Sequence, residues 1–231
     1  SLTEGSQNTA LGRTSLPALT TGGNNVGIGM DAGLLTTEGN HNIFIGTEAG
    51  NSNTTGDELI CIGYRAGYAI NHATSADGTI AIGYQAGLGI TSGGGNLNIG
   101  YKAGSTTTTA SYNTYIGYES GVGDGTQHSR NTGIGYQTLK ANTSGENNTS
   151  IGNQSGLSLT TGGGNTLLGS ESGSTITTGN NNVAIGYQVM HDVDAGSTAS
   201  GSSSNTFVGT YTASGAWANT ASSQNVGIGY E

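Results

Sequence analysis

The sequence predicts an all-β chain, a parallel β-solenoid or β-roll of about thirteen coils built on a 17-residue repeat. Three observations predict it. The composition suits neither a single compact core nor a disordered chain. An aliphatic–glycine step recurs in register from end to end. The extra residues that break the period fall at one place in the repeat. Glycine supplies 44 of 231 residues, 8% are charged and 32% are hydrophobic. That is too little apolar material for an ordinary globular core. Recurrent Ile, Val, Thr and 11 Tyr, with so little charge, argue equally against disorder.

Aligned on the aliphatic–glycine step, thirteen glycines fall into one column: Gly12, Gly29, Gly46, Gly63, Gly83, Gly100, Gly117, Gly135, Gly152, Gly169, Gly186, Gly209 and Gly229. Eight of the twelve spacings are 17. The residue before each glycine is Ile, Leu or Val, and Ile supplies most of them: Ile28, Ile45, Ile62, Ile82, Ile99, Ile116, Ile134, Ile151 and Ile185. Two residues earlier stands a β-branched residue or Leu, such as Val26, Ile43, Ile60, Thr114 or Val183, and the residue between varies (Gly27, Phe44, Cys61, Asn98, Tyr115, Leu167). Like residues at i and i+2 around a variable one predict a short strand. The expectation is that the aliphatic pair is buried and the middle residue faces the less constrained side.

Two polar columns accompany the strand. Four residues before the glycine stands Asn in eleven of thirteen repeats, including Asn25, Asn42, Asn96, Asn113, Asn131, Asn148, Asn165 and Asn182. In-register stacking lets such side chains bond one another along a ladder. Nine before the glycine stands Thr in eleven of twelve, including Thr37, Thr54, Thr91, Thr108, Thr143 and Thr160. A second glycine column, four after the first, predicts corners that need positive φ. Extra residues occur at 68–73, 122–125, 191–199 and 214–219, always between the second glycine column and the Thr column. A stacked solenoid tolerates insertions at one such corner. Residues 1–231 therefore read as a single repeat domain.

Coils spaced at the strand-pairing distance of about 4.8 Å would stack thirteen rungs over roughly 60 Å. With two or three aliphatic residues per coil the core is thin, because burial stabilises by only about 25 cal/mol per Å². Association of parallel chains would bury a further face and give the tyrosines something to pack against.

Segments such as Asn131–Leu139 (NTGIGYQTL), Asn182–Val189 (NVAIGYQV) and Asn142–Gly152 (NTSGENNTSIG) resemble the Asn-Thr-Ala-Ile-Gly-Tyr repeats of bacteriophage tail-fibre and tailspike stalks. They are also similar to the Asn-Ser-Val-Ala-Ile-Gly coils of trimeric autotransporter adhesin heads. The resemblance runs from Asn8 to Tyr230; the 17-residue period and the Tyr-Gln after Ile-Gly favour the phage type. It implies a homotrimer, an extracellular place on a virion tail fibre or cell-surface appendage, and a structural shaft supporting host attachment. The alternative it implies is a bacterial surface adhesin module. A host-surface glycan or protein is the further partner such an appendage would meet.

No catalysis is expected. A column two after the glycine carries Asp31, Glu48, Arg65, Gln85, Lys102 and Glu119. Asp31 and Glu48, on adjacent rungs about 5 Å apart, have the separation of a retaining glycosidase pair. Opposite charges one rung away make the column a solvated ladder instead. His191, Asp192 and Asp194 fall in the longest insertion; loop residues of this kind are ordinarily solvated, so neither a metal nor another cofactor is predicted. His41, His72 and His128 are expected in loops or at the surface, and Cys61 as a small packing residue.

Tyrosines follow the aligning glycine in seven repeats and are read as a stacking ladder in preference to a sugar platform. Trp217, the single tryptophan, lies in an inserted loop and is the candidate ligand contact. Adjacent threonines such as Thr20–Thr21 point to opposite faces, which argues against an ice-binding array. A net charge of −9 with five Lys+Arg argues against nucleic acid, and no apolar run approaches 18 residues, so no membrane insertion is predicted.

Overall fold

A computed structural model describes residues 5–71, 77–123, 128–191, 201–214 and 223–230. The chain is an all-β parallel β-solenoid with one short strand per coil and no α-helix among the described residues. It divides into two units, residues 1–113 and 114–231. The first holds β1 (Thr9–Leu11), β2 (Val26–Ile28), β3 (Ile43–Ile45), β4 (Ile60–Ile62), β5 (Ile80–Ile82) and β6 (Leu97–Ile99). The second holds β7 (Thr114–Ile116), β8 (Thr132–Ile134), β9 (Thr149–Ile151), β10 (Thr166–Leu168), β11 (Val183–Ile185), β12 (Thr206–Thr210) and β13 (Val226–Tyr230). Within each unit every strand pairs in parallel with its sequence neighbours, one repeat ahead and behind: Ile43 with Ile60, for example, and Thr132 with Thr149.

The strands face the other way from the sequence expectation. The middle residue is the buried one: Phe44, Cys61, Ala81, Tyr115, Leu167 and Ala184 are inaccessible, whereas the flanking pairs Ile43/Ile45, Ile60/Ile62 and Thr149/Ile151 are half-exposed. The core is built from other columns. Three residues past the glycine stand Ala32, Ala49, Ala66, Ala86 and Ala103, then Ser120, Thr138, Ser155 and Ser172; seven past it stand Leu19, Ile70, Ile90, Leu159 and Ile176.

The middle column varied because volumes are traded inside the coil. A Cβ added at Gly33 or Gly50 would lie 2.7 or 2.2 Å from the Phe44 ring, and one at Gly27 would lie 2.7 Å from Leu16. In the second unit a Cβ at Gly121 would lie 2.5 Å from Tyr115. Where Phe44, Leu16 or Tyr115 fills one column, glycine stands in the neighbouring one, as close packing dictates.

The aligning glycines have φ between +127° and +143°. A Cβ there would meet the carbonyl oxygen of the next rung's glycine, at 2.6 Å for Gly46 and 2.1 Å for Gly135. Only glycine allows rungs to approach so closely.

Candidate self-association face and side-chain ladders

Because the strands alternate, three columns of every coil point outward: the two flanking strand residues and the residue after the glycine. From β2 to β6 of the first unit these are Val26, Ile43, Ile60, Ile80 and Leu97, then Ile28, Ile45, Ile62, Ile82 and Ile99, with Met30, Thr47, Tyr64, Tyr84 and Tyr101 beside them; β1 carries Thr9, Leu11 and then Arg13 at these places. In the second unit Thr114, Thr132, Thr149, Thr166 and Thr206 dominate the first of these columns. Ile116, Ile134, Ile151, Leu168, Ile185, Val208 and Ile228 form the second. Neither strand column carries a charge, so each unit presents an uncharged stripe rich in β-branched side chains.

Tyr64, Tyr84, Tyr101, Tyr118, Tyr136 and Tyr187 are 38–46% exposed. Tyr64, Tyr84 and Tyr101 stack with centroids 5.4 and 5.2 Å apart and planes 22° and 7° from parallel; Tyr118 and Tyr136 stack likewise at 5.4 Å. Their ring faces are turned to one another, which leaves edges for any partner. Tyr187, Tyr211 and Tyr230 meet edge-on instead.

The charged column lies beside this stripe, with its backbone left-handed at every rung from Asp31 (φ 57°) to Gln188 (φ 51°). Its members contact the rung above or below. Arg65 Nε donates to Glu48, Thr14 Oγ1 to Asp31, Gln137 Nε2 to Glu119 at 2.8 Å and Gln188 Nε2 to Glu171 at 2.6 Å. Lys140, rather than Lys102, is the ion-pair partner of Glu119, at 2.7 Å; the Lys102 ammonium lies 5.4 Å from the Tyr101 ring centroid. Asp31 and Glu48 are thus members of a surface ladder.

The asparagines stand on the inner side and are buried. Asn42 Oδ1 accepts from the Leu59 backbone N–H at 2.9 Å, and its Nδ2 donates to Gly56 O at 2.7 Å. Asn148, Asn165 and Asn182 repeat this: each Oδ1 accepts the backbone and side-chain N–H of the next asparagine while each Nδ2 donates to a carbonyl of the following coil. Asn25, Asn96, Asn113 and Asn131 belong to the same ladder. The Thr column also bonds along the stack: Thr20, Thr37, Thr91, Thr143 and Thr160 each donate Oγ1 to the backbone carbonyl one rung on, at 3.0–3.2 Å, whereas Thr54 Oγ1 lies 3.4 Å from Asn71 Oδ1. Thr108, next in that column, supplies the carbonyl that Thr91 meets.

Three isolated residues have particular environments. Cys61 is fully buried, and burial pushes its thiol up to about 12; it stays protonated and inert at neutral pH. His128, expected at the surface, is buried with Nδ1 3.1 Å from the Tyr115 hydroxyl, and burial raises the phenol. No repeat column signals this pair, whose members are thirteen residues apart across an insertion. His191 Nδ1 lies 2.5 Å from Ser174 Oγ, with Glu171 Oε2 3.8 Å from Nε2. This serine and imidazole occupy one column on successive rungs, and the carboxylate stands beyond hydrogen-bond length.

No group of three or more His, Cys, Asp or Glu that could hold a metal occurs among the described residues. Trp217, Asp192, Asp194 and His72 lie outside the described residues, as does most of the inserted segments.

Among known proteins, no family model, no curated sequence and no solved structure matches this chain.

Proposed function

We propose that this chain is the structural shaft of a homotrimeric fibre, of the kind found in phage tail fibres and similar extracellular appendages, that holds a host-recognition region away from its base. One observation carries the reading: on both units the outward strand columns are uncharged and rich in β-branched residues, and they repeat at every rung. A parallel copy presents the same side chains at the same spacing, so neighbouring chains can interlock in register. The flanking columns carry the charge, and with −9 per chain the uncharged stripe is the face on which copies approach with least repulsion. The number three comes from the stalk resemblance. The ladders support a scaffold role, since their hydrogen-bonding and ring faces are turned to other rungs.

Sedimentation equilibrium of the purified chain at neutral pH tests this. The expected mass is three times the 22.9 kDa chain mass. A monomer at micromolar concentration overturns the proposal.

A further inference from the structure

The outward stripe is not the same on the two units. In the first, the leading column is aliphatic at every rung from β2 to β6, with Ile43, Ile60 and Ile80 at its centre; in the second the rungs β8 to β10 carry Thr132, Thr149 and Thr166. All six are half-exposed, and the following column is aliphatic on both units. Threonine matches valine in shape, so the backbone and the pairing are the same in both halves. The difference is chemical. An isoleucine covered by another chain gains the whole transfer free energy of its side chain. A covered threonine takes a hydroxyl out of water, and unless that hydroxyl finds a partner its burial is unfavourable. Three successive rungs, multiplied by the number of chains, make this difference large.

We infer that the first unit, along β3–β5, is the surface through which copies of this chain hold together, and that the threonine-faced second unit associates weakly by itself. The inference rests on the self-association proposed above and assigns its strength to one stretch of the chain. Copies are expected to zip from the first unit, with the second unit drawn in by the tether.

The test exchanges the two faces in the intact chain. One variant carries Ile43→Thr, Ile60→Thr and Ile80→Thr; the other carries Thr132→Val, Thr149→Val and Thr166→Val. Association is followed by sedimentation over a dilution series, with far-UV circular dichroism as the check on folding. The Ile→Thr set is expected to raise the concentration at which the oligomer dissociates by roughly 100-fold or more, and the Thr→Val set to lower it by about tenfold. A parent that is monomeric throughout removes the proposed function itself. A parent that associates, and whose folded Ile→Thr variant associates equally well, overturns this inference alone. Should the Ile→Thr set fail to fold, the Thr→Val set decides: tightening supports the assignment, and an unchanged dissociation concentration contradicts it.

Discussion

Asn148 does the work of a backbone group. Its carboxamide accepts from Asn165 N–H at 2.9 Å and donates to Gly162 O at 2.9 Å, both away from water. Asn148→Ala leaves both partners buried and unbonded, which costs about 2–3 kcal/mol and should appear as an earlier urea midpoint with an unchanged slope. Asn98 is the converse. It occupies the buried middle of β6 with neither amide atom hydrogen-bonded, in register with Ala81 on the preceding rung. Asn98→Ala removes an unpaired polar group and is expected to raise stability by about 1 kcal/mol, a gain the same urea titration would detect. A fall in stability would show that the amide is bonded in solution. Cys61 gives a pH dependence. Its thiol is raised from 9.0 to about 12 in the folded chain, so above pH 9 the unfolded chain loses this proton first and folding stability falls with rising pH. The loss approaches about 1.4 kcal/mol per pH unit until pH reaches the folded value. Comparing the parent with Cys61→Ala between pH 8 and about 11 isolates it: the parent's stability should decline more steeply.

At the scale of the coil, the period is the structural unit. Deleting residues 136–152, one repeat from one aligning glycine to the next, keeps every column in register and should give a folded chain whose melting temperature drops by only a few degrees. Deleting half a repeat would set the asparagine ladder against the wrong column and abolish the cooperative transition. Gly135→Ala attacks the same unit from within. Its Cβ would lie 2.1 Å from the Gly152 carbonyl oxygen at a φ of +136°, and a loss exceeding about 3 kcal/mol is expected in thermal denaturation. The strand, its neighbours and the asparagine and threonine ladders were all legible in the sequence, because stacking in register repeats a chemical type at a fixed interval. Which side of the strand faces inward was not. Aliphatic pairs suggested burial, while the interior had been assembled from alanine, leucine and glycine columns whose volumes compensate, as Phe44 does for Gly33 and Gly50. The Tyr115–His128 contact was illegible for another reason: it joins one coil's strand to the segment after an insertion, where the period is broken.

At the scale of the whole molecule, acidity and self-association oppose one another. Chains carrying −9 each repel when brought together, so the proposed trimer should tighten as salt rises from low to physiological concentration, a trend sedimentation would follow directly. An oligomer held by intermolecular ion pairs would loosen instead. The proposed trimer requires the outward strand columns to lie between chains in matching register. A pair of single-cysteine variants on a Cys61→Ala background tests that most directly. Ile134→Cys places a thiol on the outward column and Ser150→Cys places one in the buried middle column of the next strand. With a short bifunctional thiol reagent, Ile134→Cys should yield covalent multimers joined through residue 134, and Ser150→Cys should stay single-chain. Multimers from residue 150, or none from residue 134, would rule out an interface built on these columns.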